Sequence, residues 1–161
     1  MAIAPPEPLA ASHDVSVFHC GHPELAGWLR RRARDNEDAQ GSRCFVVCEA
    51  RRVIGFYALA AGSIGRAQAL GSVRRNMPEP IPAIMLGRLA VDSNWQGRGL
   101  GADLLQDAVL RALRASREIG ARVLLCHAID AKAKAFYLWH GFAESTFDPL
   151  TVVLDLKKVK P

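Results

Sequence analysis

The chain has 161 residues, 50% hydrophobic and 23% charged, with a formal net charge of +5. That length suits a single domain over residues 1–161, which on folding would remove roughly 68–70% of its unfolded surface from water, and the composition argues against wholesale disorder. No run reaches roughly eighteen uninterrupted apolar residues and the opening MAIAPPEPLA lacks a basic region before an apolar core, so neither a membrane span nor a secretory leader is expected and a cytoplasmic protein is.

Residues 1–12 are rich in proline and alanine and read as an irregular lead with at most one short extended segment. Val15, Val17 and Phe18 suit a short edge strand or a loop over 13–21. Pro23, favourable in a first turn, opens an amphipathic helix in which Leu25, Trp28, Leu29 and Ala33 recur at helical spacing. Its other face holds Arg30, Arg31, Arg32 and Arg34, which suit either a solvated basic face or a track for nucleic-acid phosphates.

Two apolar, aromatic and β-branched runs, 43–50 and 53–61, flank Arg51 and Arg52 and predict a hairpin whose second strand continues through Ile64. Residues 65–82 then read as a long connection with Arg66, Arg74, Arg75, Pro78, Pro80 and Pro82, a length that favours a functional or mobile loop. Leu86, Leu89, Ala90 and Val91 form a central strand, followed by a polar turn over 92–95 and the glycine-rich crossing QGRGLG over 96–101. Leu100, Leu104, Leu105, Ala108, Val109, Ala112 and Leu113 then define one face of a helix to Ile119, with Gly120 placed as a left-handed cap. A buried strand over 122–128, a helix over 131–140 capped by Asp130 and stopped by Gly141, a last strand over 151–156 and a basic tail over 157–161 complete the chain. The hairpin is antiparallel and the crossover from the central strand is parallel, so the fold class is α/β with a mixed sheet.

Cys20, Cys44, Cys48 and Cys126 lie in or beside apolar runs without a paired C-x-x-C, which predicts buried reduced thiols. His19 and His22 flank Cys20, yet no second ligand group stands at a recognisable spacing, and no metal is assigned.

Glycines between a strand and a helix start leave backbone N–H groups unshielded, and the first-turn amides have no partner within the helix, so such an end attracts phosphate. The dipole adds only ~0.3–1 kcal/mol at an exposed end, which leaves most of the binding to directed N–H bonds; Arg98 can add a charge-assisted contact. Gly97, Gly99 and Ala102 also fit G-x-G-x-x-A, but too little chain follows for a dinucleotide fold and the next strand ends in Cys126-His127-Ala128 rather than in a ribose-binding acid. A Walker loop is excluded because Gly-Lys-Ser/Thr is absent. A phosphate site and a ligand-free helix start both remain.

Gln96-x-x-Gly99-x-Gly101 and, downstream, Phe136-Tyr137-x-x-x-Gly141-Phe142 together resemble the two landmarks of the GNAT acetyltransferases. The resemblance implies a three-layer α/β sandwich whose mostly antiparallel mixed sheet is splayed at an acetyl-coenzyme A site. It assigns Leu89, Ala90, Val91, Gln96, Gly97, Arg98, Gly99, Leu100, Gly101, Ala102 and Phe136 to the coenzyme, acetyl-CoA being the co-substrate. A backbone N–H of the strand 89–91 is then the candidate oxyanion donor. Spacing alone would put Tyr137 in the core; the resemblance makes it the candidate acid for the departing thiolate. Many GNAT proteins carry Asn where this chain has Asp130, and an ionised Asp cannot donate to the pantetheine amide, so Asp130 stays outside the binding set. His127 is a possible base, although a strand histidine is more often structural.

Within that superfamily, His13-Asp14, Cys20-Gly21, Trp28-Leu29, the run 54–59, the run 86–91 and the run 99–105 are similar to the acetyltransferase toxins of type II toxin-antitoxin modules. This implies acetylation of the α-amine of aminoacyl-tRNA, a block of translation, a homodimer, and neutralisation by a ribbon-helix-helix antitoxin that carries the complex to DNA. An α-amine has an unperturbed pKa of ~7.7–8.0 against ~10.4 for lysine, so it needs no strong enzymatic base. Arg30, Arg31, Arg34, Arg74, Arg75 and Arg88 are the candidate tRNA contacts. The alternatives are a GNAT enzyme acting on a small amine or a protein N-terminus, and a non-catalytic coenzyme A-binding module.

Overall fold

The computed structural model describes residues 3–160; Met1 and Ala2 of the lead and Pro161 of the basic tail lie outside them. Among the described residues, seven strands, β1 (Glu7–Pro8), β2 (Arg43–Glu49), β3 (Arg52–Ile64), β4 (Ile81–Val91), β5 (Val123–His127), β6 (Ala143–Glu144) and β7 (Thr151–Asp155), form one mixed sheet in the order β1-β2-β3-β4-β5-β7-β6. The chain makes two compact units, one from the residues up to Ala60 with Gly87–Ala108, the other from Ala61–Leu86 with the residues from Val109 onward.

In the first unit, β1 (Glu7–Pro8) is the short extended segment of the lead, and it pairs antiparallel with β2 (Arg43–Glu49). β2 and β3 (Arg52–Ile64) form the expected hairpin, Val46 facing Phe56, with a register shift at Val47/Cys48 and Ala50 at φ 56° in the turn. Residues 13–21 form a loop with one bridge, Asp14 to Arg52. The helix begun by Pro23 is two helices, α1 (Pro23–Arg31) and α2 (Ala33–Asp38). Arg32 leaves helical geometry at φ −125°, ψ −23° and so turns Ala33 into the start of a second element, which side-chain periodicity could not reveal.

Phe18, Trp28, Leu29, Val46, Val53 and Phe56 build this unit's core. Phe18 meets Phe56 edge-on at 5.5 Å and Trp28 stacks on it at 6.0 Å. Each fully buried side chain of this size contributes roughly 1.5–3 kcal/mol of hydrophobic stabilisation. Gly55 permits close packing here, because a Cβ on it would stand 2.9 Å from Leu104 Cδ1 and 3.0 Å from Val47 Cγ2.

In the second unit, the segment 65–82 is more ordered than a loop. It contains a 3-10 turn at Arg66–Gln68, the one-turn helix α3 (Gly71–Arg74), and the first residues of β4 (Ile81–Val91), which starts at Ile81 rather than Leu86. Pro82 reads as a breaker in sequence but lies within this strand, its carbonyl accepting from Arg122 N at 2.9 Å. β5 (Val123–His127) runs parallel to β4 with Ala83 opposite Val123 and Leu86 opposite Cys126. β7 (Thr151–Asp155) pairs antiparallel with β5, and β6 (Ala143–Glu144), too short to show in sequence, pairs with β7. Leu156–Lys158 form a 3-10 turn, so the basic tail begins as ordered chain.

The helix α4 (Leu100–Ile119) buries Leu104, Leu105, Ala108, Ala112 and Leu113, and Gly120 caps it at φ 79°. Asp107 lies off this apolar face and accepts the hydroxyl of the buried Tyr57. α5 (Ala131–Trp139) is capped as expected, Asp130 Oδ1 accepting from Ala133 N at 2.8 Å, with Gly141 at φ 98° beyond its end. Arg122 and Asp155, largely buried, form an ion pair at 2.9 Å that also reaches the Ser72 carbonyl. No helix among the described residues is long and apolar enough to cross a membrane. The four cysteines are free thiols; burial pushes Cys44 up to about 12 and Cys48 and Cys126 up to about 11.

Candidate active site

The crossing from β4 to α4 is shaped from beneath by Asp92. Its N–H donates to Ile54 O at 2.8 Å, while its carboxylate accepts from Asn94 N at 3.0 Å and from His19 N at 3.3 Å. A 3-10 turn follows at Ser93–Trp95. Gln96 then donates through Nε2 to Val91 O at 3.0 Å and to Cys20 O at 3.2 Å, so its side chain braces the turn rather than standing over the glycines. Arg98 folds back as well, donating to Asn94 O at 3.2 Å with its guanidinium 4.5 Å from the Trp95 ring centre.

Gly97 and Gly99 have φ values of 79° and 84°, the left-handed region that glycine enters at no steric cost. Both are exposed, and a Cβ on either would meet nothing within 4 Å, so backbone conformation and not crowding selects glycine there. The segment 96–99 is therefore an open stretch of backbone leading into the first turn of α4, where Asp103 N to Gly99 O, at 3.2 Å, is an early helical bond. Those are the requirements of a diphosphate cradle.

In the second unit the β4–β5 ladder runs from Ala83 opposite Val123 to Leu86 opposite Cys126. Leu89 and Val91 are half-buried and Ala90 is buried. In the first unit Arg88 places its guanidinium 4.2 Å from the centre of the Trp28 ring, and burial lowers its pKa from the ordinary value.

In the second unit, Tyr137 is 5% exposed, edge-on to Phe136 at 5.4 Å and tilted against Phe142 at 5.5 Å. Burial pushes its phenol well above the ordinary value, and the neighbouring Cys126 thiol, hydrogen-bonded to it, adds to the rise. Tyr137 is thus a core side chain, as its spacing alone predicts, and its hydroxyl stays protonated. Phe136 is half-buried and packs on His140 at 4.8 Å. His127 pairs through Nδ1 with Thr151 Oγ1 at 2.6 Å.

The candidate RNA contacts divide by what their guanidiniums already hold. Arg30 donates to Phe18 O, and Arg34 to His13 O at 2.5 Å and Ala10 O at 3.3 Å, so both fasten the 10–18 loop to the helices. Arg31 and Arg32 are exposed at the α1–α2 junction, and Arg74 and Arg75 are exposed at the end of α3.

The model of the acetyltransferase (GNAT) domain matches residues 40–144. The chain is also 49% identical, over 96% of its length and 93% of the relative's, to the tRNA-acetylating toxin of Mycobacterium tuberculosis (strain ATCC 25618 / H37Rv). This chain belongs to the GNAT acetyltransferase family. Among solved structures, it is similar to AtaT complexed with acetyl-methionyl-tRNAfMet, with a TM-score of 0.90, 28% identity and coverage of 97% of this chain and 96% of that one. It is also similar to a Tyr-to-Phe mutant of the AtaT toxin bound to the C-terminus of the antitoxin AtaR and acetyl-CoA, with a TM-score of 0.83, 26% identity and coverage of 98% and 95%. The protein is thus an acetyl-CoA-dependent acetyltransferase with the α/β fold of the GNAT toxins. Asp92 and the His19–Cys20 backbone are the parts of this acetyltransferase's crossing that sequence reasoning missed. The Asp92-x-x-Trp95 pattern, an acid ahead of a short turn, was the available signal for the first.

Proposed function

We propose that this acetyltransferase is a toxin that transfers acetyl from acetyl-CoA to the α-amine of aminoacyl-tRNA and so blocks translation. The observation that carries the proposal is the 49% identity across nearly the whole chain to a tRNA-acetylating toxin. Acetyl-CoA supplies an activated acyl group as a thioester. In this reading the backbone amides of 97–102 hold the diphosphate, Leu89–Val91 line the pantetheine arm, and a free β4 N–H receives the oxygen charge that develops during attack. The amine nitrogen bonds to the acyl carbon, the carbon–sulfur bond breaks, the amine's proton passes to water and Tyr137 protonates the sulfur. Gln96 and Arg98 shape the crossing, Phe136 positions Tyr137, and no metal is assigned.

Tyr137 is a weak acid, so it suits a thiolate whose own basicity is raised by exclusion from water. The α-amine supplies a neutral fraction at neutral pH without a general base. AtaT structures bound to an antitoxin and to DNA-bearing complexes support a cognate antitoxin as partner, which the reading takes to be a ribbon-helix-helix protein. A homodimer of single-domain chains acting in the cytoplasm completes it. Incubating pure protein with labelled acetyl-CoA and total charged tRNA tests the proposal. Label on the aminoacyl group is expected, while label only on small amines or protein N-termini would favour the alternative enzyme and no product at all would favour a binding module.

A further inference from the structure

We propose that the cavity at the α1–α2 junction is a ribonucleotide subsite that grips one unpaired nucleotide of the RNA acceptor end; this rests on the aminoacyl-tRNA reading above. The cavity, about 510 Å³, is lined by Trp28, Arg31, Arg32, Asp35 and Asn36. That volume lies within the ~300–1,000 Å³ of ordinary small-ligand pockets. Its donor and acceptor set matches a sugar phosphate. Arg31 and Arg32 present two exposed guanidinium forks, which suit phosphate oxygens. Asp35 is an exposed carboxylate that accepts hydrogen bonds only, a poor neighbour for a bare phosphate but a partner for a ribose hydroxyl. Asn36 accepts the Ser42 hydroxyl on Oδ1, which turns its amide nitrogen into the group able to donate to a sugar or base oxygen.

Two further features assign the ligand to this place and not to the rest of the basic face. Arg30 and Arg34 already hold loop carbonyls, whereas Arg31 and Arg32 line the cavity. Beneath, Arg88 lies against Trp28 and adds a positive charge that needs no ordering on binding. Arg31 is itself placed by Gly27, one helical turn earlier, where a Cβ would collide with the Arg31 terminal nitrogen.

The test is steady-state acetylation of charged tRNA by the wild type, Arg31→Ala, Arg32→Ala, Asp35→Asn and Gly27→Ala, with substrates carrying ribose or 2′-deoxyribose at the unpaired acceptor-end nucleotides. Each arginine variant is expected to raise the KM for charged tRNA about tenfold, leave the KM for acetyl-CoA in place, and lower the salt slope by ~0.7 for each single-strand phosphate no longer neutralised. Gly27→Ala displaces Arg31 while favouring the helix, so it should raise the same KM without lowering the melting temperature. Asp35→Asn should weaken discrimination between the ribose and deoxyribose substrates. An unchanged KM in both arginine variants, with the wild type active on charged tRNA, overturns the subsite and leaves the toxin reading standing. A wild type that acetylates no charged tRNA overturns both.

Discussion

Replacing Tyr137 by Phe separates chemistry from folding. The phenyl ring keeps its contacts with Phe136 at 5.4 Å and Phe142 at 5.5 Å, so no cavity opens. The hydroxyl's identified partner is the Cys126 thiol, a weak one, and losing it changes stability by about 1 kcal/mol or less. A positioned general acid is worth roughly 10²–10⁴ in rate, which corresponds to ~2.7–5.5 kcal/mol of barrier. Single-turnover acetylation should therefore slow by at least a hundredfold, growth arrest should be relieved, and calorimetry should find acetyl-CoA affinity within a factor of two. A variant that retains a third or more of the wild-type rate would remove Tyr137 from the proton transfer, since the intact packing leaves no folding defect to blame.

Because Tyr137 titrates above its ordinary ~10 while the α-amine loses its proton at ~7.7–8.0, kcat/KM should rise through pH 8 and then level off. The acid form persists below the raised pKa, so a descending limb that begins below pH 9 would point to another proton donor. Gly99→Ala forces an L-residue to φ 84° with no clash to relieve, which should cost ~1–2 kcal/mol by urea denaturation and weaken acetyl-CoA binding, whereas Gly87→Ala, outside the left-handed region and with open space around it, should leave stability unchanged. Arg122→Ala leaves the half-buried Asp155 carboxylate without its charged partner and should destabilise by ~1–3 kcal/mol at pH 7. Burial works to raise Asp155, but Arg122 and the Lys157 N–H hold it below the usual carboxylate range; that contribution is present above the unfolded pKa of ~3.9 and disappears as pH falls through the lower folded value, so the gap between wild type and variant should narrow in acid to what the Arg122 bond to the Ser72 carbonyl contributes.

The elements that sequence predicts well are those whose signals are local. Leu100 through Leu113 repeat at helical spacing, Asp130 and Gly141 bracket α5, and the runs around Arg51 announce their hairpin; each follows from neighbours along the chain. The failures are tertiary. Nothing near Arg32 says that the chain leaves helical geometry there, because the pattern from Leu25 to Ala33 continues across the break. Pro82 reads as loop because its missing N–H ordinarily ends a strand, yet its carbonyl serves Arg122 N from distant sequence. β6 has two residues and exists only because β7 offers Val152 and Val153 as partners. The same division holds in the site. The glycines declare their backbone geometry, while the directions taken by Arg30, Arg34 and Arg98 depend on carbonyls that only the folded chain supplies.

Gln96 shows what a motif side chain does for the chain around it. Its amide spans from Val91 O to Cys20 O, while Ser93 N donates to His19 O at 2.8 Å and Asp92 accepts from His19 N, so three residues of the crossing fasten one short loop. That loop leads directly into Pro23 and α1, the helix that carries Trp28 and Arg31. Fixing one backbone residue costs ~1–2 kcal/mol in entropy, and a glycine-rich cradle left loose would have to meet that cost on each binding event. The bonds made by Asp92, Ser93 and Gln96 meet it during folding instead, Asp92 through the His19 N–H and Ser93 and Gln96 through backbone carbonyls, so the requirement at position 96 is a side chain that donates two hydrogen bonds from one end. Glutamine supplies that directly from its amide nitrogen, which an acceptor-only glutamate of the same length cannot do.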